Sequence, residues 1–385
     1  MTQRIRQPTR LVALDTEVFD RENFNYQSTS FKKLIELVQD EKVCLYLTTV
    51  TQQEVMAHIE HLTQQASLEF KNLHKEFRKQ AKIIHNSLKF QKLLNSSLNK
   101  DELSHELKEQ FNEFIKESQI EILTIDAVSA EYIFTKYFQI LPPFKNGQKK
   151  HEFPDAFAIA AIEEKAKTEN RKIYVISGDQ DWEKASNYSE YLIYKESIDK
   201  LLTEIIEQES SEVDLCYKIL DDNWSEIKNE ISDSFSSREF SLSDDFAHGY
   251  FELGSEYIEV VVEEIIIIDK SIVDIDEEVE CPVVTFELKT EISCTVYISY
   301  DSTEYAYWDS EDHVYYGIEQ VEGKVHYKVL IPVELKIILF RDESYNLCFN
   351  AIENVDLDPN GLIGTIVLTP GEFEEIEKEF DSCFF

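Results

Sequence analysis

The chain has 385 residues, 43% of them hydrophobic, with 24 Phe and 19 Tyr against nine Gly and eight Pro; this excludes a low-complexity chain, and the length exceeds the roughly 250–300 residues at which a single core stops growing. No apolar run approaches the roughly 18–20 residues that span a bilayer as a helix, so no membrane partner and a cytoplasmic location are expected. The net charge of −38 is unevenly placed: residues 1–200 hold 28 Lys/Arg and 31 Asp/Glu, which leaves 10 of the 38 bases and 45 of the 76 acids, net −35, for residues 201–385. A near-neutral first half keeps nucleic acid open as its partner, whatever the acidity of the whole.

In chain order, LVAL (11–14) reads as a short buried strand, FKKLIELV (31–38) as a helix and VCLYL (43–47) as a second strand. A helix opens at TQQEVMAHIEHL and continues, with breaks, to about residue 118, so that about 60–118 form a long helical insertion. Within it, residues 71–100 carry eight basic residues against one acid. Lys71, Lys75, Arg78, Lys82, His85, Lys89 and Lys92 follow alternating steps of four and three, which places them on one helix face beside an apolar stripe of Phe70, Phe77, Ala81, Ile84 and Leu88. That face is either an ordinary solvated surface or a ridge that tracks phosphates; its shortage of acids forgoes the usual i to i+4 salt bridges.

EILTI (121–125) reads as a third strand, AVSAEYIFTKYF as a helix, LPPFKNGQKKHEFP as a loop, Asp155 to about Lys167 as a helix and KIYVIS (172–177) as a fourth strand. Strands alternating with helices imply a parallel sheet flanked by helices, so residues 1–205 form an α/β domain. Val213, Cys216, Leu220, Trp224, Ile227 and Ile231 then keep helical spacing in an acidic amphipathic connector, followed by a linker, SDSFSSREFSLSDD; together these occupy 206–245. From 246 to 385 the period changes to two or to β-branched runs, which predicts a mainly antiparallel, acidic β domain. The six cysteines (44, 216, 281, 294, 348 and 383) lack zinc-site spacing and read as reduced core residues, with Cys383 in the tail the exception.

Asp15 closes the first strand, Glu54 lies early in the helix after the second, and Asp179 and Asp181 follow the fourth. In a parallel sheet the loops after the strands share one edge, where open α/β folds bind ligands. Bland roles exist for some of them. Glu54 completes a T-x-x-E capping box with Thr51, and Asp179-Gln180-Asp181 can cap the next helix. Asp155 differs, because it heads the stripe of Ala158, Ile159 and Ile162 and so leans toward the core, where a carboxylate needs a partner. The lysines do not cluster at these strand ends, so that partner is expected to be a cation. A carboxylate set without His or Cys is a hard oxygen site for one or two Mg²⁺ or Mn²⁺ ions, and phosphodiester hydrolysis suits it.

Asp15, Glu54, PDA at Asp155 and SGDQDW at Asp179 and Asp181 stand in the order and context of the PIN-domain nucleases, which residues of about 9–205 resemble. The likeness is to a bacterial branch with a long helical insertion and a K-x-E-F-P-D-A-like approach loop, here KKHEFPDA. It implies metal-dependent hydrolysis of nucleic acid, RNA before DNA, with Asp15, Glu54, Asp155 and Asp179 catalytic and metal-binding and Asp181 as an auxiliary ligand or support. Lys149 and Lys150 would hold phosphates near the cut, and the ridge from Lys71 to Lys92 more distant ones. A toxin, a defence effector and an RNA-processing enzyme would share this chemistry. LDTE and GDQDWE also resemble the first and last motifs of haloacid-dehalogenase-type phosphatases, but Glu17 stands where those need an aspartate, and Asp155 is left unexplained. The rival from another class is a catalytically silent PIN-like binding or regulatory protein. The acidic β domain would bind a protein partner, self-associate or compete with nucleic acid for the ridge, unless its charge only keeps a strand-rich surface soluble.

Overall fold

The computed structural model describes residues 10–80, 83, 86–87, 99–145, 152–243, 257–277, 281–302, 305–311, 314–343, 345–369 and 374–375. The chain divides into two compact units, Met1–Leu201 and Leu202–Phe385.

The first unit is built on five parallel strands: β1 (Arg10–Leu14), β2 (Val43–Thr48), β3 (Glu121–Leu123), β4 (Ile173–Ile176) and β5 (Leu192–Lys195), in the order β3-β2-β1-β4-β5. Every residue of β1 is buried, as expected of a central strand covered on both faces. The helices are α1 (Thr16–Arg21), α2 (Thr29–Gln39), α3 (Thr49–Gln80), α4 (Lys100–Glu117), α5 (Ala130–Gln139), α6 (Phe153–Glu169) and α7 (Gln180–Tyr188), while α8 (Ile198–Glu209) begins in this unit and runs on into the second. Two features of this order position the site. The strand sequence reverses between β1 and β4, which opens a crevice at their carboxyl ends. Helix α6 leads into β4 and so enters from that same edge, which puts its first turn, and Asp155, there.

The helical insertion is anchored. Helix α3, with 32 residues, is about 48 Å long, and α4 returns beside it, tied by Lys108 to Glu60 at 2.8 Å. Phe111 and Phe114 of α4 are buried with Phe19, Tyr26 and Phe31, their ring centroids 4.9–6.5 Å apart. Lys71, Lys75 and Arg78 are exposed on α3. The rest of the expected ridge, Lys82, His85, Lys89 and Lys92, lies outside the described residues, as do Lys149 and Lys150.

The second unit carries an antiparallel sheet in the order β12-β11-β8-β7, from β7 (Tyr257–Asp276), β8 (Val283–Ser302), β11 (Glu319–Arg341) and β12 (Leu347–Leu357). Between β8 and β11 lies a small antiparallel pair, β9 (Tyr307–Asp309) and β10 (Val314–Tyr316). Alternate residues of β8, from Val284, Phe286 and Leu288 to Ile292, Cys294, Val296 and Ile298, are buried, the period of two read in the sequence.

The segment expected as connector and linker, 206–245, is differently used. It forms α9 (Val213–Asp222), α10 (Trp224–Ser236) and β6 (Phe240–Leu242), and β6 pairs in parallel with β13 (Ile366–Leu368). Val213, Cys216, Leu220, Ile227, Ile231 and Phe235 share one core with the sheet residues Phe286, Ile292, Val333 and Leu335. The amphipathic stripe is therefore a packing face, because one side of a β-sheet needs an apolar cover. The expectation of core cysteines is corrected as well: Cys216 and Cys294 are buried, Cys348 is half-buried, and Cys44 and Cys281 are exposed. Cys383 lies outside the described residues. Among the described residues no helix is long and apolar enough to cross a membrane.

Candidate active site

Asp15 follows β1 and holds the N-cap position of α1, yet its side chain makes no cap hydrogen bond. Instead, Oδ2 accepts from the Ser177 hydroxyl at 2.7 Å. Ser177 follows β4 directly, and its Oγ accepts in turn from the Asp179 N–H at 3.0 Å, so one hydroxyl links the ends of the two strands that flank the crevice. Asp15 is only 5% exposed. Burial raises its pKa to about 7; the Ser177 bond opposes the rise, while the charges of Asp155 and Glu54 add to it.

Glu54 is not part of the expected capping box. Helix α3 begins at Thr49, and the cap is Thr48, whose hydroxyl accepts from the Thr51 N–H at 3.0 Å. The box fails because the helix starts three residues earlier than the T-x-x-E pattern requires. Glu54 thus lies beyond the first turn, free of capping, and its Oε2 accepts from the Thr16 hydroxyl at 2.9 Å.

Asp155 is the third residue of α6, after Pro154. The stripe that follows it, Ala158, Ile159 and Ile162, packs in one core with Leu11, Ala13, Val175 and Trp182. The Trp182 indole N–H, on a ring only 2% exposed, donates to Asp155 Oδ1 at 3.1 Å. Burial raises the Asp155 pKa to about 7, helped by Glu54, Asp179 and Asp181 and opposed by the Trp182 bond. An aspartate in the first turn of a helix ordinarily gains from the helix dipole; here desolvation and like charge win.

Asp179 and Asp181 have separate employments. Asp179 is exposed and caps α7, its Oδ1 accepting from the Asp181 N–H at 2.7 Å. Asp181 is buried, but Oδ2 pairs with Lys145 and Oδ1 lies 3.2 Å from Lys184 Nζ. Burial alone would raise its pKa, and the two lysines more than reverse this and hold it below the ordinary carboxylate value. The absence of lysines from this edge is thereby corrected: Lys145 arrives from the loop before α6 and Lys184 from within α7, neither of them beside a strand end in sequence. Lys145 also lies 3.8 Å from Glu152.

Glu17 contributes a contact not anticipated in the sequence. Its Oε2 accepts from the Gly178 N–H at 2.7 Å, and a Cβ at position 178 would meet that carboxylate at 2.5 Å. Ser177, Trp182 and Lys145 were likewise not anticipated, although the W of GDQDW was a visible signal beside the acids.

Burial and charge thus bring Asp15, Glu54, Asp155 and Asp179 into one electrostatic neighbourhood. Among the described residues, however, no group of three or more His, Cys, Asp or Glu is arranged to hold a metal ion. The local reasons are visible in the bonds: Thr16 holds Glu54, the start of α7 holds an oxygen of Asp179, and the lysines hold Asp181. As a donor set the first four fit a hard divalent ion, since they offer carboxylate oxygens alone and no described Lys or Arg forms an ion pair with Asp15 or Asp155.

Residues 12–182 match the family model of the PIN domain. The first unit contains a PIN domain. The match runs from within β1 to Trp182 and so takes in all five acids and the indole that holds Asp155. No curated protein and no solved structure gives a significant match to the chain. The PIN domain is a nuclease fold, and its strand order puts Asp15 and the Ser177–Asp181 turn on either side of the crevice. In this PIN domain Glu17, the residue that departs from the phosphatase pattern, is engaged with the Gly178 N–H.

Proposed function

We propose that the PIN domain hydrolyses phosphodiester bonds of nucleic acid, RNA before DNA, with one or two Mg²⁺ or Mn²⁺ ions held by Asp15 and Asp155 and completed by Glu54 and Asp179. The observation that carries this reading is a pair of carboxyl groups at the crevice, Asp15 buried and Asp155 half-buried, supported by the neutral donors Ser177 and Trp182 and by no described basic side chain. A purely structural carboxylate in such a place would be paired, because an uncompensated buried charge is costly. A divalent ion would supply the missing positive charge, activate water near neutral pH and stabilise charge on the leaving oxygen.

The chain's own residues have the following roles. Ser177 orients Asp15 and favours its charged form; Trp182 does the same for Asp155. Glu54 would have to be shared with the Thr16 hydroxyl, and Asp179 with the start of α7. Asp181, its oxygens engaged by Lys145 and Lys184, fits a support better than an ion ligand and keeps two ammonium groups at the rim, where a phosphate would meet them. Lys149 and Lys150 would hold phosphates near the cut. Lys71, Lys75, Arg78, Lys82, Lys89 and Lys92 would hold more distant ones through non-specific charge. The acidic second unit is assigned an interaction or regulatory part, through a protein partner or self-association.

The competing silent reading and this one both accept ion binding, and they part at turnover. Incubation of the full chain with labelled single-stranded RNA and Mn²⁺ or Mg²⁺ should give cleavage that EDTA stops and that Asp155→Asn loses. A folded Asp155→Asn chain that cleaves at the parent rate would remove this mechanism.

A further inference from the structure

Helix α5 buries the wrong residues for a purely structural helix. Lys136 is 5% exposed and lies 3.8 Å from the buried Glu163, whereas Phe134 is 48% exposed and Phe138 75% exposed. Burying an ion pair gains little or nothing over an apolar pair, and exposed Phe side chains forgo their transfer free energy. Placing lysine inward and phenylalanine outward is thus the reverse of what the hydrophobic effect selects. Exposed apolar patches of this kind mark interaction surfaces.

The rings reach the first residue of α6, the helix that carries Asp155. Phe134 lies 6.3 Å from Phe138 and 5.5 Å from Phe153, centroid to centroid, and Tyr137 packs behind at 5.1 Å from Phe153. Phe153 is two residues before Asp155, so their Cα atoms stand within about 7.6 Å by chain geometry, while their side chains leave α6 on different sides, Phe153 toward Phe144, Ala156 and Ala160 and Asp155 toward Trp182. We propose that Phe134, Phe138 and Phe153 form a ledge on which unpaired bases stack while the strand continues round the start of α6 to Asp155. The inference rests on the nuclease reading and adds to it where the flanking nucleotides lie.

Stacked bases are favoured over a protein helix or a second copy of the chain for two reasons. The ledge stands at the start of α6 in a domain whose fold acts on nucleic acid, and aromatic faces accept any base without reading its sequence. In sequence, the segment 141–151 between α5 and α6 carries Lys145, Lys149 and Lys150 and no acid, a charge suited to a phosphate chain and unsuited to an apolar partner surface.

The test uses the full chain carrying Asp155→Asn, so that bound RNA is not cut, and fluorescence anisotropy in Mg²⁺. The probes are a single-stranded RNA of about 12 nucleotides, within the usual footprint of such sites, and the same strand with contiguous abasic residues. Phe138→Leu keeps apolar volume and removes the ring; Phe138→Trp enlarges it. The ledge predicts about tenfold weaker RNA binding for Phe138→Leu and again for Phe134→Leu, binding by Phe138→Trp at least equal to the parent, and weak, variant-independent binding of the abasic strand. Equal RNA binding by all variants, equal binding of the abasic strand, or no binding at all overturns it. So does a parent dimer in sedimentation that Phe138→Leu dissociates, which would make a second copy the occupant. Cleavage by the wild-type chain, run in parallel, separates the two readings. Cleavage with ring-independent binding sinks the ledge alone, and ring-dependent binding without cleavage sinks the nuclease alone.

Discussion

Ser177 Oγ donates to Asp15 Oδ2 across 2.7 Å, joining residues 162 apart in sequence at the ends of adjacent parallel strands. The bond favours the ionised form of a carboxyl group that burial holds near neutrality. Ser177→Ala should therefore leave a folded chain with Asp15 more reluctant to ionise. Supporting hydrogen bonds of this kind commonly change metal affinity by about 10–100-fold. A Mn²⁺ titration followed by calorimetry should show the loss, and unchanged affinity would mean that Asp15 is not among the ligands.

The raised pKa values make a statement about stability. Asp15 and Asp155 ionise near 3.8 in the unfolded chain and near 7 in the folded one. Between those values the folded state binds more protons, so stability without divalent ions falls as pH rises from about 4 to about 7, then levels off. Thermal melts in EDTA should fall by several degrees across that window. Asp15→Asn cannot ionise and keeps an oxygen for Ser177, so it should flatten the profile and melt above the parent at pH 8. Added Mn²⁺ should raise the parent's melting temperature at pH 8 and leave the variant's nearly unchanged. A parent that melts equally at pH 5 and pH 8 in EDTA would contradict the burial of these charges.

Gly178→Ala tests the loop that carries Ser177 and Asp179. The added methyl meets the Glu17 carboxylate, which can swing away, but only by releasing the Gly178 N–H. A cost of about 1–2 kcal/mol is expected, in line with losing one charge-assisted hydrogen bond. In Gly178→Ala with Glu17→Ala, urea unfolding should show clear non-additivity, because the clash disappears along with its partner.

Asp181 and Asp155 should part company under the same substitution. Asp155→Asn removes a carboxylate with no described basic partner and should lower cleavage at least about a thousandfold. Asp181→Asn loosens two lysines without removing an ion ligand and should cost roughly tenfold or less. Comparable losses would restore Asp181 to the ligand set.

The positions of Asp15, Glu54, Asp155 and Asp179 were legible because strand ends and helix starts in a parallel α/β pattern converge on one edge. Their immediate partners were not legible. The bonds of Ser177 to Asp15, Trp182 to Asp155 and Lys145 to Asp181 span 162, 27 and 36 residues, and they depend on how close packing aligns elements that no local pattern relates. Thr51 and Glu54 show the opposite failure, in which a local motif fits but the helix begins too early to use it. In the second unit, the stripe from Val213 to Ile231 lies on two helices, α9 and α10. What it covers became clear only with the β-sheet beside it, since a stripe states that a face is buried and not against what.

The most direct measurement is the initial rate of cleavage of a single-stranded RNA by the full chain in Mn²⁺, beside the same chain carrying Asp155→Asn. Divalent-dependent cleavage by the parent and at least about a thousandfold loss in a folded variant are expected. No cleavage by the parent in either Mn²⁺ or Mg²⁺, or cleavage that survives Asp155→Asn, would contradict the assignment of these carboxylates to phosphodiester hydrolysis.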